Sequence, residues 1–184
     1  MYRQKIERKA KQCGFTMMEV LIATAVLVIS LVGVAQLVPL SIRLNTANRG
    51  DSTSLVIAQR EMEAMIGQPI TATTFTDPQG LVCAAAGVCN LGVPANPPAL
   101  AGSPVVMFAN RPFIDYTQAK VAGYNYSYSD PNDPANVSYD IRWAVITFTN
   151  AAGTATGRRI IVGVRRLGGN APLLPVALDS MVEK

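Results

Sequence analysis

Histidine is absent from the 184-residue sequence. That excludes Ser-His-Asp and Cys-His nucleophile systems and every zinc site built on imidazole. Charge is scarce too, at 15% of residues, and between residues 20 and 40 there is none. A charge-free run of that length can cross a bilayer as a helix. Cysteine is nearly missing: of three, Cys13 lies in the first segment, while Cys83 and Cys89 flank Ala-Ala-Ala-Gly-Val. Two sulfurs without a nearby histidine are a poor metal site, so no metal and no other cofactor is expected.

The formal net charge of +4 is not a property of the whole chain. Residues 1–14 hold Arg3, Lys5, Arg8, Lys9 and Lys11 against Glu7, which accounts for all of it. Residues 15–184 balance eleven basic against eleven acidic residues, so the basic pI gives no reason to infer nucleic-acid binding. Loss of residues 1–14 would also leave an even pair of cysteines, as an oxidising compartment favours. Cys83 and Cys89 then either close a small disulfide loop or remain reduced thiols.

Lys and Arg ahead of an apolar run hold the N-terminus in the cytoplasm and send the rest outward. An ordinary secretory signal is cut after its apolar run, at small residues, and Val34-Ala35-Gln36-Leu37 offers no such site. A lipoprotein would need its cysteine after the run, whereas Cys13 precedes it. One carboxylate, Glu19, stands at the start of the run, where a charge is costly without a partner.

Gly14-Phe15, followed by Thr16, Met17, Met18, Glu19 and the apolar run, resembles the class III leader of type IV pilins and type II secretion pseudopilins. The motif covers residues 1–40; beyond it the likeness is architectural, and the whole resembles the PilV group of minor pilins. The resemblance implies cleavage between Gly14 and Phe15 by a prepilin peptidase, N-methylation of Phe15, and an assembly role for Glu19, the fifth residue of the processed chain. It implies a substrate rather than an enzyme. Its partners would be the prepilin peptidase, major and minor pilin subunits, the pilus assembly platform and, before assembly, the inner membrane. The head would be periplasmic, then exposed on a filament at the cell surface. A pseudopilin of a type II secretion system and a single-pass protein with an uncleaved anchor are the alternatives of similar build.

A glutamate among packed helices needs a partner, and a neighbouring subunit's N-terminal ammonium is a fitting one. Alternatively, Glu19 sits at headgroup level and caps the first turn. Gly33 and Pro39 are weak points where the helix either kinks or extends on assembly. Past Pro39, the residues Leu44, Ala47, Asp51, Leu55, Ala58, Met62 and Met65 recur at spacings of three and four, an apolar stripe broken at Asp51. Arg43, Arg49, Arg60, Glu61 and Glu63 fall mostly on other faces, and Gly67 and Pro69 supply the stop. A helix over 15–66 would be roughly 78 Å long.

The remainder reads as sheet. Residues 67–104 form an irregular connection with a turn at Asp77-Pro-Gln-Gly80. A short strand is expected over 105–109, and Tyr124, Tyr126 and Tyr128 share one strand face, as sheet packing or as a stacking platform for sugars or bases. Residues 137–149 and 158–167 make an antiparallel hairpin turning at Asn150-Ala-Ala-Gly153. Arg158, Arg159, Arg165 and Arg166, with Arg142 opposite, would either bind DNA or form a solvated strand edge; the second agrees with the neutral balance. Asp130 to Asn136 has calcium-type oxygens without EF-hand spacing, so a turn is the plainer reading. Residues 168–184 read as a surface loop. The expected architecture is α+β: a cleaved leader (1–14), a transmembrane and assembly helix (15–40), its amphipathic continuation (41–66) and a β-rich head (67–184). Nothing in these residues points to catalysis; a DNA- or glycan-binding module is the reading of another class.

Overall fold

The computed structural model describes residues 14–76, 83, 88–129, 137–168 and 174–183. The basic leader at 1–13, the turn at Asp77 to Gly80 and the Asp130 to Asn136 loop lie outside the described residues. The chain divides into two compact units, Met1–Asn45 and Thr46–Lys184.

Helix α1 runs over Met17–Ile66 without interruption, with Pro39 inside it. In the first unit, side chains from Met17 to Leu44 are exposed on every face, from Val20 at 51% to Met17 at 85%. Such a surface is apolar all round, the pattern of a helix that finds its cover in lipid or in other helices. Two of its hydroxyls are already spent within the helix: Thr24 donates to the Leu21 carbonyl and Ser30 to that of Val26. Back-bonding of this kind lowers the cost of a hydroxyl in an apolar medium.

In the second unit the end of α1 packs on a sheet. Gly50, Ser54, Ile57, Ala58, Glu61, Met62 and Met65 are its buried positions. The expected stripe is therefore corrected: Ala58, Met62 and Met65 face inward, but Asp51 and Leu55 are exposed. Glu61 is fully buried and accepts two bonds from Arg60 at 2.8 and 3.1 Å. Gly50 makes room for Arg166: a Cβ there would lie 2.7 Å from the guanidinium, which would have to shift. The helix ends where Gly67 donates to Glu63, ahead of Pro69.

Among the described residues, nine strands follow. They are β1 (Thr74–Phe75), β2 (Cys89–Asn90), β3 (Leu100–Gly102), β4 (Val105–Phe108), β5 (Arg111–Ile114), β6 (Asn125–Ser129), β7 (Ser138–Thr149), β8 (Ala155–Leu167) and β9 (Val176–Glu183). All pairings are antiparallel. The main sheet has five strands: β8 fills one edge of β7, β6 and β3 share the other end to end, and β9 pairs on β8. The expected hairpin is present as β7 and β8. Its turn is held by Asn150, whose Oδ1 accepts from the Ala152 and Thr154 amides at 3.0 and 2.9 Å.

Alternation then sorts the residues. Tyr139, Ile141, Trp143 and Val145 of β7, with Ile160, Val162 and Val164 of β8, join Ile57, Ala58, Met62 and Met65 in one core. The opposite face carries Ala144 and Ile161, covered by Ile114 of the β4–β5 hairpin. Gly163 lets that hairpin close down, since a Cβ there would meet Ile114 at 2.8 Å. The strand expected at 105–109 stops at Phe108 and turns through Ala109 and Asn110, both at positive φ (47° and 62°). That is a two-residue turn matched to hairpin twist.

The tail is the clearest correction. Residues 176–183 are not loop but the eight-residue strand β9, in register with Gly157 to Val164. Pro175 precedes it, where a missing amide donor breaks no ladder bond. In the connection before the sheet, Cys83 and Cys89 form a disulfide with Cα atoms 5.2 Å apart. Both are buried in the main core, and the Trp143 indole donates to the Asn90 carbonyl beside them at 2.8 Å.

Candidate processing and assembly site

The start of α1 is built by three residues. Thr16 precedes the first helical residue, and its Oγ1 accepts from the Glu19 amide at 3.3 Å. Its carbonyl accepts from the Glu19 and Val20 amides at 3.1 and 3.2 Å. Thr16 is thus the N-cap of the helix, and the spacing Thr16-Met-Met-Glu19 is that of a capping box. Glu19 sits in the first turn, where a carboxylate meets the positive end of the helix dipole. Phe15, Glu19, Val20, Ala23, Thr24 and Leu27 line one open apolar groove. Phe15 itself is 83% exposed, and Gly14 and Phe15 lie outside any helix. The structure therefore brings Phe15 and Glu19 to one side of the helix and leaves the bond between Gly14 and Phe15 in open backbone.

The candidates in the sheet unit come out differently. Tyr126 is buried, Tyr124 and Tyr128 are half-buried, and the first two rings pack on Trp143 at 6.1 and 6.2 Å. Tyr128 lies under the Arg60 guanidinium at 5.5 Å. The stripe is core packing against the helix, with no flat aromatic face left for bases or sugars.

The arginines are not a solvated edge, because β8 is flanked on both sides. Arg158 is buried and donates to the backbone carbonyls of Pro69, Ile70 and Ala72 just past the helix; burial pulls its pKa below the ordinary guanidinium value. Arg159 forks onto Asp179 of β9 at 2.9 and 2.6 Å, and that hydrogen bond raises its pKa. Arg166 lies against Gly50 of the helix. Arg142 and Arg165 both reach Asp140.

That last group was not legible beforehand. The Asp140 carboxylate, 1% exposed, accepts from Arg142 at 3.0 and 3.2 Å and pairs with Arg165 and Lys120 at 3.2 Å each. Both guanidiniums lie over the Tyr116 ring, at 4.9 and 4.6 Å, and the Tyr116 hydroxyl donates to the Asp140 carbonyl at 3.3 Å. Burial pushes the Tyr116 hydroxyl far above the ordinary phenol range, with the Asp140 charge adding to it. The only trace of this cluster in the sequence is the register that sets Asp140 opposite Arg165. Among the described residues, no group of three or more acids or cysteines is placed to hold a metal ion.

The helix is long and apolar enough to cross a membrane. A family model described as the prokaryotic N-terminal methylation motif matches residues 9–35. The match takes in the end of the basic leader, the Gly14-Phe15 bond, Thr16, Glu19 and the first turns of α1, and supports placing the chain among type IV pilin-like prepilins. Searches of curated proteins and of solved structures returned no match.

Proposed function

We propose that this chain is a minor type IV pilin of the PilV kind, cut after Gly14, N-methylated on Phe15 and assembled through its helix into a filament or its priming complex. The observation that carries this reading is the coincidence of the methylation motif with an apolar helix exposed on every side. Residues 1–14 would be the leader, 15–40 the membrane and assembly helix, 41–66 its continuation and 67–184 the head. Before assembly the helix anchors the chain in the inner membrane with the head in the periplasm. The Cys83–Cys89 disulfide accords with that oxidising compartment.

Glu19 would be the assembly contact. In a packed bundle it is the charge that needs a partner, and a neighbouring subunit's N-terminal ammonium offers both charge and donor. Mutual neutralisation then selects the axial register between helices. The Thr16 cap leaves this role open, since what Thr16 satisfies is the Glu19 amide. The test is a strain lacking the prepilin peptidase. There the chain should keep its leader and stay in the inner membrane, and sheared filaments should lack it; filaments that still contain it would refute the proposal. The same leader serves a pseudopilin of a type II secretion system, and deletion separates the two: loss of pili supports the first, loss of secretion the second.

A further inference from the structure

The helix start holds a device that the motif alone does not explain. Helix α1 begins at Met17, two residues past the Gly14-Phe15 bond. What fixes that start is Thr16, whose hydroxyl oxygen takes up the Glu19 amide and whose carbonyl accepts the first intrahelical bonds. Upstream, Lys9, Ala10, Lys11 and Gln12 are all good helix formers by composition.

We propose that Thr16 is a positioning residue for leader removal, a cap that stops α1 short of the Gly14-Phe15 bond and keeps that bond in exposed backbone outside the helix. The inference rests on the reading that this bond is the one cut. Residues rank as N-caps with Thr and Gly well above Ala and Val. Without the Thr16 hydroxyl, the next competent cap upstream is Gly14. Phe15 would then become the first helical residue, and the carbonyl of Gly14 would accept the first intrahelical hydrogen bond. That carbonyl is the one hydrolysis must attack: a water hydroxyl adds to its carbon, the bond to the Phe15 nitrogen breaks, and a proton goes to that nitrogen. Engaging it in the first turn hides the reacting group. With the cap in place, the helix accepts its first bond two residues further on, and Gly14 has open space where a Cβ would be.

The test uses the full-length chain in membranes with purified prepilin peptidase, following loss of the leader. Thr16→Ser and Thr16→Asn both retain a capping oxygen and should be cut within about two-fold of the unaltered chain. Thr16→Val keeps the shape of threonine without the oxygen, and Thr16→Ala removes both; each should lower kcat/KM by about two- to five-fold, the upper figure being the shift in the helix-start equilibrium that a lost cap brings. Hydrogen exchange at the Glu19 amide should quicken in Thr16→Val. Wild-type rates for Thr16→Val would overturn the inference, as would unchanged Glu19 exchange. Rescue by Ser but not Asn would also overturn it, since the enzyme would then be reading the hydroxyl itself. If the unaltered chain is not cut after Gly14, the processing reading fails first, and that shows before any variant is compared.

Discussion

Replacing Asp140 by asparagine removes one negative charge from the middle of the sheet and almost nothing else. In the unaltered chain the Asp140 and Arg142 side chains are 1% and 5% exposed and bonded at 3.0 Å. After the change Arg142 keeps the Gln118 carbonyl at 2.9 Å, the Tyr116 ring and the more distant Asp115 charge, but it loses the one carboxylate bonded to it within the sheet. Breaking a buried pair from one side costs about 3–5 kcal/mol. Lys120 and Arg165 are 40% and 34% exposed, so water screens them and their lost pairing adds at most about 0.5 kcal/mol each. An asparagine oxygen can still accept from Arg142, which sets the expectation near 3 kcal/mol. For a domain of this size that lowers Tm by about 10 °C. Trp143 is the only tryptophan and is fully buried in the same sheet, so its fluorescence in detergent-solubilised full chain reports the transition. Asp179→Asn is the control: the Arg159 pair is 38% and 33% exposed, and its loss should cost less than about 1 kcal/mol. Equal shifts for the two variants, or an Asp140→Asn shift under about 2 °C, would refute the reasoning.

Three further outcomes are expected. Glu19→Ala should still be cut after Gly14 while its share of sheared filaments falls several-fold, measured by quantitative immunoblot; unaltered incorporation would remove the pairing argument. Cys83 and Cys89 should resist alkylation until reduced, and Cys83→Ser with Cys89→Ser should lower stability by about 2 kcal/mol from loop closure alone; free thiols in the native chain would contradict the bridge. Gly50→Ala should gain up to about 1 kcal/mol of helix propensity only when Arg166→Ala has cleared the space, so a double-mutant cycle by thermal unfolding should show coupling; additive effects would mean Arg166 does not press on Gly50.

How legible each part was depended on whether its cause is local. The leader, Gly14, Phe15 and Glu19 form a linear pattern, and the family match falls on the same residues. The β7–β8 hairpin was readable because its alternation runs for many residues on both sides of an Asn-and-Gly turn. The helix stripe was misplaced because apolar periodicity assumes that buried means apolar, whereas Gly50, Ser54 and Glu61 are buried here for contacts with other elements or with Arg60. Strand β9 was hidden for a related reason. Asp179 and Ser180 interrupt its apolar pattern, and its strand character comes from pairing on β8 and from the Asp179 bond to Arg159, which are tertiary facts. The arginines illustrate the same limit. Alternation splits them between two faces, but only the fold shows that one holds the connection just past the helix and others converge on Asp140.

The central claim is that residues 1–14 are removed and that Phe15 begins the working protein. Mass spectrometry of the N-terminal peptide, taken from native membranes and from sheared filaments, tests it most directly. The account predicts a chain that starts with N-methylated Phe15 in both fractions. A chain that still begins at Met1, or one that begins after residue 35, would contradict it.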